Sequence, residues 1–266
     1  MKNYKLLRLS GFLLLVIFMI GLPLFLGNTK PTAKISPKPI VGQEGKERLE
    51  HLRNLTLKVQ TKTPALKVVN LEKDVDNEVI KITLKNKSDK VITAYDIQVG
   101  IGTVISDLIT EELSENNLLY PGGECIETYE LQTGIETKGI SVLAVLFQDK
   151  TSDGDPVYIK DMQDYRLGVK MGIAESLNFF KEIQQLPKAS IPEAFINHQQ
   201  SKSLMQNGQE LPHFVKVGLQ DTRGRIEHNI ARFQRGFQKG PNIGSEIINH
   251  FIPTYVQLLE KTILKL

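Results

Sequence analysis

Residues 78–100 read EVIKITLKNKSDKVITAYDIQVG, and the alternation within them decides the fold class. Ile80, Ile82 and Leu84 alternate with Lys81, Thr83 and Lys85, the period-two pattern of a strand with one dry and one wet face. Asn86, Ser88 and Asp89 then favour a turn, because their side chains hydrogen-bond the local backbone in competition with a continued ladder. From Val91 to Val99 β-branched and aromatic residues dominate. Tyr95, Ile97 and Val99 form the expected inward set, with a bulge near Ile92 and Ala94. The whole stretch is expected to be a β-hairpin.

Similar short apolar runs lie on either side. Leu55, Leu57 and Val59 suggest a first strand and Ala65 to Leu71 a second; the hairpin supplies the third and fourth, and Ile101 to Leu108 a fifth. Pro121-Gly122-Gly123 signals a turn, after which Cys125 to Leu131 resumes the strand pattern. Residues 140–147, ISVLAVLF, are continuously apolar but for Ser141, as suits a central strand covered on both faces. Short strands separated by turn signals, with no helix between them, imply an immunoglobulin or fibronectin-like antiparallel β-sandwich over residues 55–160. An open barrel is the alternative.

After Asp155 the period becomes helical, and residues 161–266 are expected to form an α-helical domain, giving an α+β chain. Met162, Tyr165, Val169, Ile173, Leu177, Phe180 and Ile183 form one stripe of a long helix ending before Pro187. Ser190 to Glu193 spells a capping box, S-x-x-E, and opens a helix expected to reach about Met205, before Asn207-Gly208. Val215, Leu219, Thr222, Ile226, Ile230, Phe233 and Phe237 repeat the spacing, with Gly218 and Gly224 as weak points. Beyond Gly240-Pro241, Ile243, Ile247, Phe251, Tyr255 and Leu258 line a last helix, kinked at Pro253.

The N-terminus carries an address. Lys2, Lys5 and Arg8 precede an apolar run, residues 9–27, whose polar side chain is Ser10 alone. Its length is about the 18–20 residues that span a bilayer. Small residues in an Ala-x-Ala arrangement are missing after Gly21, so residues 1–27 are read as a retained signal anchor or transmembrane helix; cleavage to a secreted or periplasmic form is the alternative. Cations before the run hold that end in the cytoplasm and direct the C-terminal region outside it. Pro31, Pro37 and Pro39 keep residues 28–54 extended, as a tether.

With 33 basic and 30 acidic side chains the 266-residue chain has a net charge of +3, which argues against a general nucleic-acid binder. Apolar residues at 41% imply a chain able to build cores rather than a disordered one. Its single cysteine, Cys125, excludes an intramolecular disulfide, and reads as a small buried apolar residue.

No catalytic, cofactor-binding or metal-ligating set is expected. Asp149 to Asp155, DKTSDGD, lacks the spacing and closing glutamate of a calcium loop and reads as a polar turn. His51, His198, His213, His228 and His250 are scattered, without a zinc-binding H-E-x-x-H. Ser245 lacks the second glycine of a nucleophile elbow. The candidate surface is on the third helical segment, where Arg225, Arg232, Arg235 and Lys239, with Arg223, accompany the apolar stripe. Such a helix contacts anionic lipid or a partner; the simpler reading is a bundle helix with a solvated basic face.

Residues 84–99, LKNKSDKVITAYDIQV, with LAVLFQDKTSDGDP at 143–156 and DYRLGV at 164–169, resemble uncharacterised exported or membrane-anchored β-sandwich proteins of bacteria. In these an asparagine-serine turn precedes the third or fourth strand, and an F-x-D-G-x-x-x-G-D-like turn follows the central one. Asp149-Lys150 stands here where that pattern has Asp-Gly. The resemblance covers about residues 78–170 and implies a sandwich, with no activity to carry over.

The expected function is extracytoplasmic binding or scaffolding in a bacterial cell envelope, anchored through residues 9–27 and engaging another envelope protein, without catalysis. One alternative is an envelope hydrolase drawing acid and base groups from Glu193, His198, Glu227 and His228. Another is a secreted soluble ligand-binding protein.

Overall fold

The structure, a computed structural model, describes residues 50, 54, 56–74, 79–109, 118–130, 139–198, 204–206 and 209–266. The expected anchor at 1–27 lies outside the described residues, as does the tether at 28–54 apart from Glu50 and Asn54. Among the described residues no helix is long and apolar enough to cross a membrane. The fold is mixed α+β, with two main sheets and several helices. The described residues fall into two compact units: one runs to Ser106 and includes Leu118–Asp155, and the other comprises 107–109 and Pro156–Leu266.

In the first unit β1 (Val59–Thr61), β2 (Leu66–Asp74), β3 (Val79–Asn86), β4 (Ile92–Val99), β5 (Gly102–Asp107), β6 (Glu124–Glu130), β7 (Ile140–Phe147) and β8 (Ser152–Gly154) follow in order. One sheet runs β2-β3-β6, the other β1-β7-β4-β5 with β8 also on β7. As expected of a continuous apolar run, all eight residues of β7 are buried. It pairs antiparallel with β4 and β8 but parallel with β1, an exception to an all-antiparallel arrangement.

The hairpin is corrected. β3 and β4 lie in different sheets, and both edges of β3 are taken, by β2 and β6. Asn86 makes the corner. Its backbone stays with the chain leading into β6, its N–H donating to the Gly123 carbonyl at 3.0 Å while its own carbonyl accepts from Gly122 at 3.0 Å. Its fully buried side chain turns the other way: Nδ2 donates to the carbonyls of Lys90 at 2.7 Å and Leu119 at 2.8 Å, and Oδ1 accepts from the N–H and hydroxyl of Ser88. Each polar atom of a buried amide is thus satisfied, as burial requires. Alternation reports which face of a strand is dry, and says nothing of which strand lies beside it.

The faces of β3 agree with the alternation. In β3 Ile80, Ile82 and Leu84 are fully buried and Lys81 is exposed; in β4 Tyr95, Ile97 and Val99 are buried, but so are Thr93, Ala94 and Asp96, so that strand is covered on both faces rather than on one. The expected bulge appears as a register shift between Ile92 and Ala94, joined by another between Asp96 and Ile97. Residues of the two sheets meet at Tyr95, whose hydroxyl donates to Glu127 on β6 and lies 3.7 Å from the buried Cys125 sulfur.

In the second unit α1 (Pro156–Gln185) is followed by a 3₁₀ turn (Lys188–Ser190), α2 (Ile191–Ile196), a small antiparallel pair β9 (Met205–Gln206) and β10 (Gln209–Glu210), and α3 (His213–Gln238). Of the expected α1 stripe all but the half-buried Leu177 are buried. Gly168 and Gly172 lie on the same stripe and let α1 and α3 touch backbone to backbone. A Cβ on Gly168 would sit 2.0 Å from the Val215 carbonyl oxygen, and one on Gly218 would sit 2.1 Å from that of Tyr165. Gly218, expected as a weak point, is therefore the seat of the helix crossing. Ser176 and Thr222 line it too, each returning its hydroxyl to a carbonyl of its own helix at 2.8 Å, so close approach leaves no orphaned polar group.

Two helical boundaries differ from expectation. α2 stops at Ile196 and Met205 lies in a strand, because after Ile196 the sequence NHQQSKS offers no apolar residue to bury. The capping box does not form: Ser190 ends a 3₁₀ turn in a helical conformation, without a side-chain cap hydrogen bond, whereas an N-cap needs extended geometry. At the C-terminus α4 (Pro241–Glu246) leads through one π turn (Ile247–Phe251) into α5 (Ile252–Lys265). Pro253 cannot donate, and its ring would strike the Asn249 carbonyl of a regular helix. The wide turn, in which the Ile252 N–H reaches back five residues to Ile247, relieves this. An added residue advances the inward face by one position. The fully buried set is Ile252, Val256 and Leu259; of the expected residues Phe251 and Leu258 are half-buried, while Tyr255 keeps its ring against Phe180 and Phe233.

Candidate functional site

Helix α3 divides its charges among three settings. Toward the bundle, Arg223 is buried and forms a two-point ion pair with Glu175 of α1, at 2.7 and 2.9 Å. At mid-helix, Arg225 donates to Asp221 at 2.5 Å, and the same carboxylate accepts from the Tyr165 hydroxyl at 2.6 Å. Burial first, and Asp221 second, push the Tyr165 phenol far above its ordinary value, so it remains a neutral donor. Arg223 thus serves the fold, while Arg225 is exposed and shares its carboxylate with Tyr165.

Further along, Arg232 is half-buried, while Arg235 and Lys239 are exposed. Burial chiefly, and Arg235 secondarily, disfavour charge on the Arg232 guanidinium. Among the described residues no carboxylate lies within ion-pair distance of Arg232, Arg235 or Lys239. Arg235 and Lys239 also suit the negative end of the helix dipole, which acts over the last turn. Arg232 lies earlier and has no such explanation.

The apolar side of α3 is packed within its unit. Ile226 and Ile230 are buried. Phe233 and Phe237 join Phe180 of α1, Phe195 of α2 and Tyr255 of α5 in a cluster with ring centroids 5.0–6.1 Å apart. These are edge-on and tilted contacts of the kind that aromatic quadrupoles favour. The Tyr255 hydroxyl accepts from Asn229 at 3.0 Å, and Gln234 donates to the Phe195 carbonyl at 2.7 Å.

Of the acid and base residues singled out for an enzyme, the structure couples one pair. The half-buried His198 lies against the Phe179 ring, centroids 3.9 Å apart, and feels the charge of Glu227; Glu193, Glu227 and His228 are exposed. Burial lowers the His198 imidazole and Glu227 raises it, the first effect being larger. Because the folded state holds this proton less tightly than the unfolded chain, stability contributed by neutral His198 is present above the ordinary histidine value near 6.5 and lost as pH falls below it. The helical melting temperature is expected to drop between about pH 7.5 and pH 5, and His198→Asn to flatten that drop. Parallel pH profiles for the two proteins would assign the dependence elsewhere.

The acidic run after the central strand is a turn from β7 to β8. Asp149 pairs with Lys90 at 2.8 Å and accepts from the Thr151 N–H and hydroxyl, and these hydrogen bonds push its carboxyl down to about 2. Asp153 accepts from the Thr63 hydroxyl, and the Asp155 N–H donates to Leu143 at 3.0 Å. Gly154, at φ +116°, would bring any Cβ within 2.4 Å of the Leu143 carbonyl. Among the described residues no three His, Cys, Asp or Glu side chains could share a metal ion.

Two partly buried contacts have no counterpart in the sequence pattern. Arg166 of α1 pairs with Asp107 through Nε at 2.6 Å, and Thr63 reaches Asp153 across ninety positions. Neither has a local signal, since no periodicity links residues so far apart. No protein-family model matches the chain, and no curated protein and no solved structure matches it.

Proposed function

We propose that this protein binds or scaffolds in a bacterial cell envelope, held at the membrane by residues 9–27, with the rest of the chain outside the cytoplasm. The observation that carries the binding reading is the division of α3: its apolar stripe is committed to the bundle while Arg232, Arg235 and Lys239 stand without carboxylate partners among the described residues. Cations arranged in this way serve electrostatic recognition and on-rate.

The first unit is, in this proposal, an immunoglobulin or fibronectin-like sandwich serving as a rigid platform. Support comes from strand order: β2-β3-β6 corresponds to A-B-E of such a fold and β4-β7-β8 to C-F-G. The Tyr95 contact with β6 is the kind that two facing sheets make. Topology is tested by adding protease to intact spheroplasts that express the full chain. Loss of the C-terminal region is expected, and an uncut chain in unbroken spheroplasts would overturn the reading.

A further inference from the structure

We propose that the outer face of α3 docks on an anionic phospholipid bilayer, with Arg225, Arg232, Arg235 and Lys239 meeting lipid phosphates. The proposal rests on the membrane-anchored reading, which supplies the second attachment that surface cations need for stable membrane contact.

Spacing is the first argument. Positions 225, 228, 232, 235 and 239 advance in alternating steps of three and four residues, which keeps Arg225, His228, Arg232, Arg235 and Lys239 on one side of the helix. At 1.5 Å per residue the row is about 21 Å long. Residues in a single row along a helix meet one flat surface together. They lie opposite the stripe that holds the buried Ile226 and Ile230, so a bilayer is approached without unpacking the bundle, by charge alone.

Charge complementarity is the second. Arg232 and Arg235 stand one turn apart, two like charges on one side of the helix, and a phosphate between them offsets that repulsion while offering two-point geometry to each guanidinium. Arg225 already shares Asp221 and contributes less. A protein partner fits the row less well. Protein interfaces are anchored by buried aromatic or other large apolar side chains, and the exposed residues of α3 from Gly224 to Lys239 include no Phe, Tyr, Trp or large aliphatic, being Gly224, Glu227, His228 and Gln238 besides the cations. A lipid phosphate plane needs no such anchor.

The test uses the full chain in nanodiscs of phosphatidylcholine, with or without about one-third phosphatidylglycerol, and an arginine-specific dicarbonyl reagent read by mass spectrometry. Arg232 and Arg235 are expected to react about tenfold more slowly in anionic discs at low salt, and equally in both discs at about 0.5 M salt, where charges are screened within a few ångström. Arg223, buried on Glu175, should be indifferent to lipid. A double variant, Arg232→Gln with Arg235→Gln, should keep its melting temperature and lose the lipid-dependent protection of Arg225. Equal rates in the two discs at low salt would overturn the proposal, as would protection by an added acidic protein or soluble polyanion but not by lipid. If the chain fails to enter phosphatidylcholine discs at all, the anchored reading falls. The docking surface then stands if anionic discs alone capture the chain in a salt-sensitive manner, and falls if they do not.

Discussion

Gly218→Ala is expected to destabilise the second unit by about 3 kcal/mol or more, and Gly224→Ala, six residues along the same helix, to stabilise it by about 0.5–1 kcal/mol. The physical difference is what a methyl group meets. At position 218 it would sit 2.1 Å from the Tyr165 carbonyl oxygen, a backbone atom that no rotamer change can move. The helices must separate, and the contacts of Gly168 with Val215 and of Gly172 with Thr222 would be lost with them. At position 224 nothing lies within 4 Å, so alanine only removes the conformational entropy that glycine loses on entering a helix. Denaturant midpoints followed by helical circular dichroism measure both. Two changes of the same sign would mean that α1 and α3 do not cross at these glycines.

Arg166→Met should cost about 3–5 kcal/mol, because it leaves the Asp107 carboxylate buried without its cation. The Asp107 side chain is 1% exposed and that of Arg166 13%; Nε donates at 2.6 Å to one oxygen, while the other accepts from the Ile109 N–H at 3.1 Å. Replacing both residues, Asp107→Leu with Arg166→Met, is expected to recover most of the loss. An ion pair removed whole leaves no charge in a site of low polarity, and its desolvation cost disappears with it. The double-mutant cycle decides the matter: a double variant as unstable as the sum of the two singles would show the charges to be uncoupled. The exposed pair Lys181–Glu260, 2.7 Å apart with each side chain over two-fifths exposed, makes a control expected to stay within about 1 kcal/mol.

By itself the sequence determined the kind and facing of most elements. Period-two alternation predicted the dry face of β3, and an apolar run bounded by turns predicted a β7 covered on both sides. Three-and-four spacing predicted the inward stripes of α1 and α3. These are properties of a chain and its nearest solvent boundary, and they survive any choice of neighbour. Tertiary structure alone decided the neighbours. The alternation around Asn86 is the same whether the next strand folds back or crosses to another sheet, and a buried amide with four hydrogen bonds goes with the crossing. Gly218 reads as a helix defect until Tyr165 is set against it. The last stripe turned toward Ile252, Val256 and Leu259, with Tyr255 still in the aromatic cluster, because a π turn, invisible to a fixed 3.6-residue period, accommodates Pro253. Arg225, Arg232, Arg235 and Lys239 could be named from the sequence as one basic group. Which of them already has an acid partner depended on Asp221 and on the absence of a carboxylate beside Arg232, Arg235 and Lys239 among the described residues, a matter of distances between side chains that no one-dimensional pattern records.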